Sequence, residues 1–165
     1  MKYYETQTMK RLWICYAAIL LIIITIARNY YFGYGLLANI PFLFLIIIAT
    51  GIYYLCRLDM AINSVGFRYR FKPFHLRDRV IEWKDIQQVW LRKYHPFWEY
   101  RGWGISYGKA GWAYSTQGNI GLQLELKNGK RILVGTQRPH ELEDFLTKLK
   151  GRHAIPLVSL TEKRS

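Results

Sequence analysis

The sequence LWICYAAILLIIITIA, residues 12–27, contains no charged side chain, and neither does the run that follows it, residues 29–56. Arg28 alone separates these two stretches of Leu, Ile, Phe and Tyr. A small domain has little interior in which to bury so much contiguous apolar surface, so the pattern predicts helices in a bilayer. We expect a transmembrane hairpin, with helices at about residues 12–32 and 36–56, within a segment of residues 1–57.

The lengths of the two stretches bear on this prediction. At about 1.5 Å per residue, residues 12–27 cover roughly 24 Å, which is short of a hydrocarbon core of about 30 Å. Arg28 can extend to the interface, where Tyr30, Tyr31 and Phe32 suit the aromatic belt. The second stretch is long enough to cross with little tilt.

The basic residues predict an orientation. Lys2, Lys10 and Arg11 precede the first helix, several more follow Arg57, and the predicted connecting loop holds only Arg28. This asymmetry favours an integral protein of the cytoplasmic (inner) membrane with both termini and the C-terminal domain in the cytoplasm. A cleaved secretory signal at residues 12–27 is the alternative, but the stretch is long for one and a second apolar run follows at once.

The net charge of +13 lies mostly in the second part of the chain, where residues 57–165 carry +10 of it. Two explanations are equally good. The excess draws the domain to anionic lipids, at about 1 kcal/mol for each Lys or Arg near the surface, or it only reflects topology and solubility. The cysteines, Cys15 and Cys56, give no sign of an oxidising compartment or a metal cluster.

Residues 58–150 have the pattern of strands closed by one helix. Phe67, Tyr69 and Phe71 alternate with basic residues, and residues 120–126 alternate before Asn128-Gly129, the strongest short-range signal for a hairpin. A later apolar stripe, Leu142, Phe145, Leu146 and Leu149, predicts an amphipathic helix. We expect an α+β protein whose antiparallel β-barrel or bent sheet is capped by that C-terminal helix, followed by a tail at residues 151–165.

Three segments carry a resemblance to a known family: IEWKDIQQV at residues 81–89, RGWGI at 101–105 and LVGTQRP at 133–139. Together with the two apolar stretches, they resemble small bacterial membrane proteins with a pleckstrin-homology-like domain. The resemblance implies a seven-stranded barrel capped by a helix. It leaves the activity open, since the bacterial members are mostly uncharacterised, and the phosphoinositide-binding loop pattern of the eukaryotic relatives is not matched here.

The sequence predicts no catalytic, cofactor or metal site, and hence no enzyme. Gly102 and Gly104 begin a nucleotide-binding pattern, but Tyr107 stands where the third glycine is required. The histidines are scattered without the spacing of metal ligands, and the serines lack the context of a nucleophile.

The best candidate surface lies within residues 94–114, where aromatic residues alternate with glycines and basic residues. Trp103 and Ile105 are expected in the core. The alternative is that the aromatics simply fill and cover the barrel, while stacking on nucleic acid is less favoured. The residues predicted to form an exposed binding surface are Phe97, Trp98, Arg101, Lys109 and Trp112.

Two functions follow from these patterns. The first is a non-catalytic, membrane-anchored module that engages anionic lipid headgroups or a membrane protein partner at the inner membrane face, without a cofactor. The second is a structural subunit or scaffold of a membrane complex, assembled through the transmembrane hairpin.

Overall fold

The computed structural model describes residues 1–9, 12–33 and 39–151, without side-chain detail at residues 12–15. The chain divides into two compact units. One unit joins Met1–Thr8 to the chain from Arg57 onward, and the other is formed from Met9–Cys56. The expected start of the second helix at residue 36, and the expected tail after Gly151, lie outside the described residues.

The unit within Met9–Cys56 contains two helices, α1 (Leu12–Phe32) and α2 (Ile40–Leu55). Pro41 occupies the first turn of α2, where a missing amide hydrogen costs no helical hydrogen bond. The Arg28 guanidinium donates to Asn39 Oδ1 at 2.7 Å and lies 5.0 Å from the centre of the Phe42 ring. Arg28 therefore links the C-terminal end of α1 to the start of α2.

The prediction of a transmembrane hairpin is wrong for the described residues, in which no helix combines the length and apolar character needed to cross a membrane. The 16 residues of α2 extend roughly 24 Å, short of the hydrocarbon core of about 30 Å. Two further predictions depended on this hairpin: the integral inner-membrane location with a cytoplasmic domain, and the description as a membrane protein. The structure does not support either of them.

A strand that the sequence analysis did not predict opens the chain. In β1 (Tyr3–Thr8), side chains alternate between buried and exposed, and the strand pairs antiparallel with β2 (Arg57–Ile62). Thr8 lies opposite Arg57, so these two neighbouring strands are connected in the chain through the segment that contains α1 and α2. β3 (Gly66–Lys72) and β4 (Arg79–Glu82) complete the order β1-β2-β3-β4.

The second sheet is built from β5 (Ile86–Lys93), β6 (Gly104–Gly108), β7 (Gly111–Ser115), β8 (Ile120–Leu126) and β9 (Arg131–Gly135). Its strand order is β5-β8-β9-β7-β6, and β7 runs parallel to β9. The hairpin predicted at Asn128-Gly129 is confirmed, with Leu124 opposite Ile132 and Gly129 at a φ of 78°.

The expectation of one antiparallel barrel or bent sheet is wrong in two respects: the described strands form two sheets, and the second sheet is mixed. The physical reason is the β6–β7 hairpin, which follows β5 in the chain but joins the far side of the sheet, where β7 pairs with β9. The α+β character is confirmed. α3 (Pro96–Tyr100) precedes this hairpin.

The predicted C-terminal helix is confirmed as α4 (Pro139–Lys150). Its apolar stripe is buried, and the Phe145 ring lies 5.5 Å from the ring of Tyr3. The neighbouring Glu5 carboxylate, also buried, accepts hydrogen bonds from Tyr3, Thr136 Oγ1 and the Gln137 amide. β1 is therefore fixed by apolar packing and by polar contacts at the entrance to α4.

Candidate functional site

The β6–β7 hairpin separates two aromatic groups, because alternate side chains of a strand point to opposite faces of the sheet. On one face lie Ile105, Tyr107, Trp112 and Tyr114, which all line one cleft. A side chain at Gly108 would meet the backbone of Glu99 in α3, so the other face packs against α3. Residues adjacent in sequence thus belong to different environments.

The cleft has a volume of about 850 Å³, within the range of pockets that hold small molecules or headgroups. It lies where the end of β3 and the start of β4 meet the β6–β7 and β8–β9 hairpins. Its aromatic and basic lining consists of Tyr69, His75, Arg79, Tyr107, Lys109, Trp112, Tyr114, Lys130 and Arg131.

Aromatic rings form a continuous row along this cleft. The Tyr107 and Trp112 rings are 5.3 Å apart between centroids, and Trp112 stacks with Tyr114 at 6.5 Å. Tyr114 then lies 4.8 Å from Tyr69 and 5.3 Å from His75. Tyr69 and Tyr114 are 2% and 4% exposed, whereas Trp112 and Tyr107 are 46% and 68% exposed. The row therefore has an inner end at Tyr69, His75 and Tyr114 and an outer end at Tyr107 and Trp112.

The basic side chains of the cleft exceed its acidic ones. Arg131 pairs with Glu125 at 3.0 Å. Among the described residues, no carboxylate lies within ion-pair distance of Arg79, Lys109 or Lys130. The cleft thus carries three uncompensated positive charges, which favour an anionic ligand.

His75 is held at the inner end in one tautomer. Its Nδ1 accepts a hydrogen bond from the Phe71 amide at 3.2 Å, so the ring proton resides on Nε2. Burial, together with the nearby charge of Arg79, lowers the pKa of His75 below its usual value. At neutral pH the ring is therefore an uncharged hydrogen-bond donor.

The Tyr69 phenol at the inner end also keeps its proton. Burial, and then the neighbouring Tyr114, raise the pKa of Tyr69 above its usual value. The same hydroxyl interacts with Arg79. Tyr69 is consequently neutral at physiological pH, and Arg79 lies beside a group that holds its proton.

A second basic cavity, of about 210 Å³, lies on the first sheet but differs in its charge pairing. Arg68 and Arg70 share Asp78 at 3.4 and 3.6 Å, and Lys72 contacts Asp59 at 3.2 Å. Its lining basic residues therefore have carboxylate partners, which makes it the weaker candidate for binding an anion.

The face of the hairpin next to α3 is a packed core. Tyr94, Tyr100, Ala113 and Leu133 form one buried cluster there. Arg92 donates to the Glu99 carboxylate at 2.8 Å and to the Tyr100 hydroxyl at 3.0 Å, which fixes α3 on this face. Although burial raises the pKa of Glu99, hydrogen bonds from Arg92 and the His95 amide lower it overall.

The structure divides the predicted binding surface. Lys109 and Trp112 line the cleft, whereas Phe97 and Trp98 belong to α3 and Arg101 directly follows it. The Trp98 side chain is 91% exposed. Two of the five residues thus line the cleft and three lie in or beside α3, and whether any of them binds a ligand stays a prediction.

The placement of Trp103 and Ile105 in the core is wrong. Trp103 is 38% exposed, and its indole nitrogen donates to the Gly118 carbonyl at 2.8 Å while its ring contacts Phe97. Ile105 is half-buried and lines the cleft. Alternation alone could not distinguish a covered face from the wall of a cleft.

Sequence reasoning missed the inner end of the cleft. Tyr69 was expected on the apolar face of a strand, and His75 and Arg79 were expected in a loop 19 and 15 residues before the start of the candidate segment at residue 94. The one available signal was the basic and aromatic composition of that loop. Pairing of the strands, rather than proximity in sequence, brings these residues to the cleft.

No protein-family model matches the chain, and no curated protein matches it either.

Proposed function

We propose that this protein is a non-catalytic binding module whose cleft engages the headgroups of anionic phospholipids. The observation that carries the proposal is the combination, in one cleft, of an aromatic row with three positive charges that have no carboxylate partner among the described residues. Tyr and Trp have an apolar ring and a polar edge, which suits the boundary between lipid and water. Basic side chains within a Debye length of an anionic surface add electrostatic attraction.

The titratable groups of the cleft support a binding role over catalysis. The one basic nitrogen of neutral His75 already accepts the Phe71 amide, so it has no free lone pair with which to take up a proton. Glu125 is engaged by Arg131, and Tyr69 keeps its proton because its pKa is raised by burial. His75, Glu125 and Tyr69 are therefore each already engaged in a way that does not favour proton transfer.

The alternative function, a scaffold subunit assembled through a transmembrane hairpin, is not supported, because no described helix is able to cross a membrane. A protein partner remains the competing occupant of the basic cleft. It is an outcome of the following test.

The test is flotation of the full chain with vesicles of phosphatidylglycerol and phosphatidylcholine, compared with phosphatidylcholine alone. We expect binding to the anionic vesicles only, weakened by added salt. The variant Lys109→Glu/Lys130→Glu should lower the partition coefficient by about 30-fold or more, since each basic contact is worth about 1 kcal/mol.

The matched control is Lys84→Glu/Lys148→Glu, which changes the net charge equally at exposed positions outside the cleft lining. It should retain most of the binding. Equal losses in the two double variants would show a nonspecific charge effect and overturn the role of the cleft. Absence of binding to anionic vesicles would overturn the lipid proposal and favour a protein partner.

A further inference from the structure

We propose that the inner end of the cleft at Tyr69, His75 and Tyr114, together with the adjacent and exposed Arg79, is a subsite for a phosphomonoester group. This inference deepens the proposed function, on which it rests, by naming the chemical group that the cleft selects. The ligand would enter from the side of Tyr107 and Trp112 with its phosphate first.

The donors at this end match the acceptors of a phosphate. His75 supplies an Nε2–H whose tautomer is fixed by the Phe71 amide, at 3.2 Å from Nδ1. Arg79 supplies a guanidinium, which is suited to phosphate because its N–H groups form a planar fork. Tyr69 lies beside Arg79, and its hydroxyl is engaged with both Arg79 and Tyr114. A monoester phosphate presents three oxygen atoms to such a set.

The charge of the cleft distinguishes a monoester from other anions. A phosphomonoester carries about −1.5 to −2 at pH 7, whereas a phosphodiester or a carboxylate carries about −1. Arg79 has no carboxylate partner among the described residues, and the same is true of Lys109 and Lys130 farther out. The electrostatic attraction to this site is therefore stronger for a phosphomonoester than for a phosphodiester or a carboxylate.

The aromatic row supports the direction of entry. The rings become more exposed from Tyr114 to Trp112 and Tyr107, so the apolar surface accessible to a ligand increases toward the outer end. A phosphate at His75 and Arg79 would leave the less polar part of its carrier against Trp112. That carrier is either a lipid or a soluble organic phosphate, and the experiment separates these two sources.

The experiment measures binding of the full chain to four probes. Two are vesicles matched in surface charge, containing either phosphatidic acid, a monoester, or phosphatidylglycerol, a diester. Two are soluble: glycerol 3-phosphate and the diester glycerophosphoglycerol, followed by calorimetry. We expect each monoester to bind about tenfold or more tightly than its diester counterpart, the gain typical of a charge-assisted hydrogen bond.

The variants Arg79→Gln and His75→Phe should each abolish most of this preference while leaving attachment to phosphatidylglycerol vesicles through Lys109 and Lys130. Arg138→Gln is the matched control, because Arg138 is exposed and pairs with Glu141 in the first turn of α4. It should leave the preference unchanged. Circular dichroism of each variant establishes that it is folded.

The outcomes separate the two proposals. Binding to both kinds of vesicle without a preference would overturn the phosphomonoester subsite and leave the proposed function intact. Binding of glycerol 3-phosphate without binding to either vesicle would support the subsite and overturn the lipid proposal. Binding of no probe would overturn both proposals. A preference for the monoester that is equally strong in the Arg79→Gln and His75→Phe variants would overturn the assignment of the subsite to these residues.

Discussion

The two faces of the β6–β7 hairpin are made from the same short, aromatic-rich stretch of sequence, yet they differ in packing and in charge. On the α3 face, Arg92 is paired with Glu99 and the side chains around Leu133 are buried. On the cleft face, the Tyr107 and Trp112 rings are exposed and Lys109 has no carboxylate partner among the described residues. The comparison shows how a hairpin stabilises one face by packing and leaves the other available for a ligand.

The largest expected difference between the faces concerns two neighbouring residues of β9. Leu133 is fully buried in the α3 cluster, whereas Ile132 lines the cleft. Leu133→Ala should lower the free energy of unfolding by about 2–5 kcal/mol, because it removes apolar contacts and leaves a cavity. Ile132→Ala should lower the free energy of unfolding far less, because one side of the Ile132 side chain already faces the open cleft. Urea unfolding of both variants measures the difference, and equal losses would contradict the division into two faces.

A smaller effect is expected from filling the contact between β6 and α3. A Cβ atom at Gly108 would meet the Glu99 carbonyl oxygen and approach the Tyr100 ring. Gly108→Ala should therefore destabilise the protein by about 1–3 kcal/mol, as overpacking does in other cores. Ser106→Ala, at the next position on the same face, adds no atom and is the control. Thermal unfolding monitored by circular dichroism compares them, and an unchanged melting temperature for Gly108→Ala would show that α3 does not pack on this face.

The smallest expected effect is a pH dependence on the cleft face. Burial, aided by Arg79, lowers the pKa of His75, so the unfolded chain binds a proton more readily than the folded protein. Stability from this group is therefore complete above the unfolded pKa of about 6.5 and decreases as the pH falls below it. Relative to His75→Asn, the wild type should lose free energy of unfolding between pH 7 and 5. Parallel pH profiles for the two proteins would contradict the lowered pKa.

Some elements could be predicted because their signals are local. Asn128-Gly129 specifies a tight hairpin through its backbone conformation, and the stripe containing Leu142 and Leu146 specifies one buried face of α4. β1 escaped prediction because six mostly polar residues form a strand here only through pairing with β2, 49 positions after Thr8 in the chain. Its buried Glu5 contradicts the local expectation of an exposed acid and depends on donors near α4.

In the apolar stretches on either side of Arg28, the sequence predicted more than the structure provides: two helices that cross a membrane. Composition predicted helices, which α1 and α2 confirm, but it did not establish how much continuous apolar helix each would provide. Arg28, treated as a residue at an interface, instead binds Asn39 and contacts Phe42. Composition likewise indicates Lys109 and Trp112, but only the structure shows that they line the cleft while Trp98 belongs to α3.

By itself, the sequence determined the two apolar helices, several of the strands, the Asn-Gly turn, the buried stripe of α4 and the excess of positive charge, because each depends on residues close together in the chain. Tertiary structure alone decided which strands became neighbours, and with that it placed His75 and Arg79 beside Tyr114. The reason is physical: alternation assigns a side chain to one face of a strand, but only pairing and packing between distant segments decide whether that face is covered or lines a cleft.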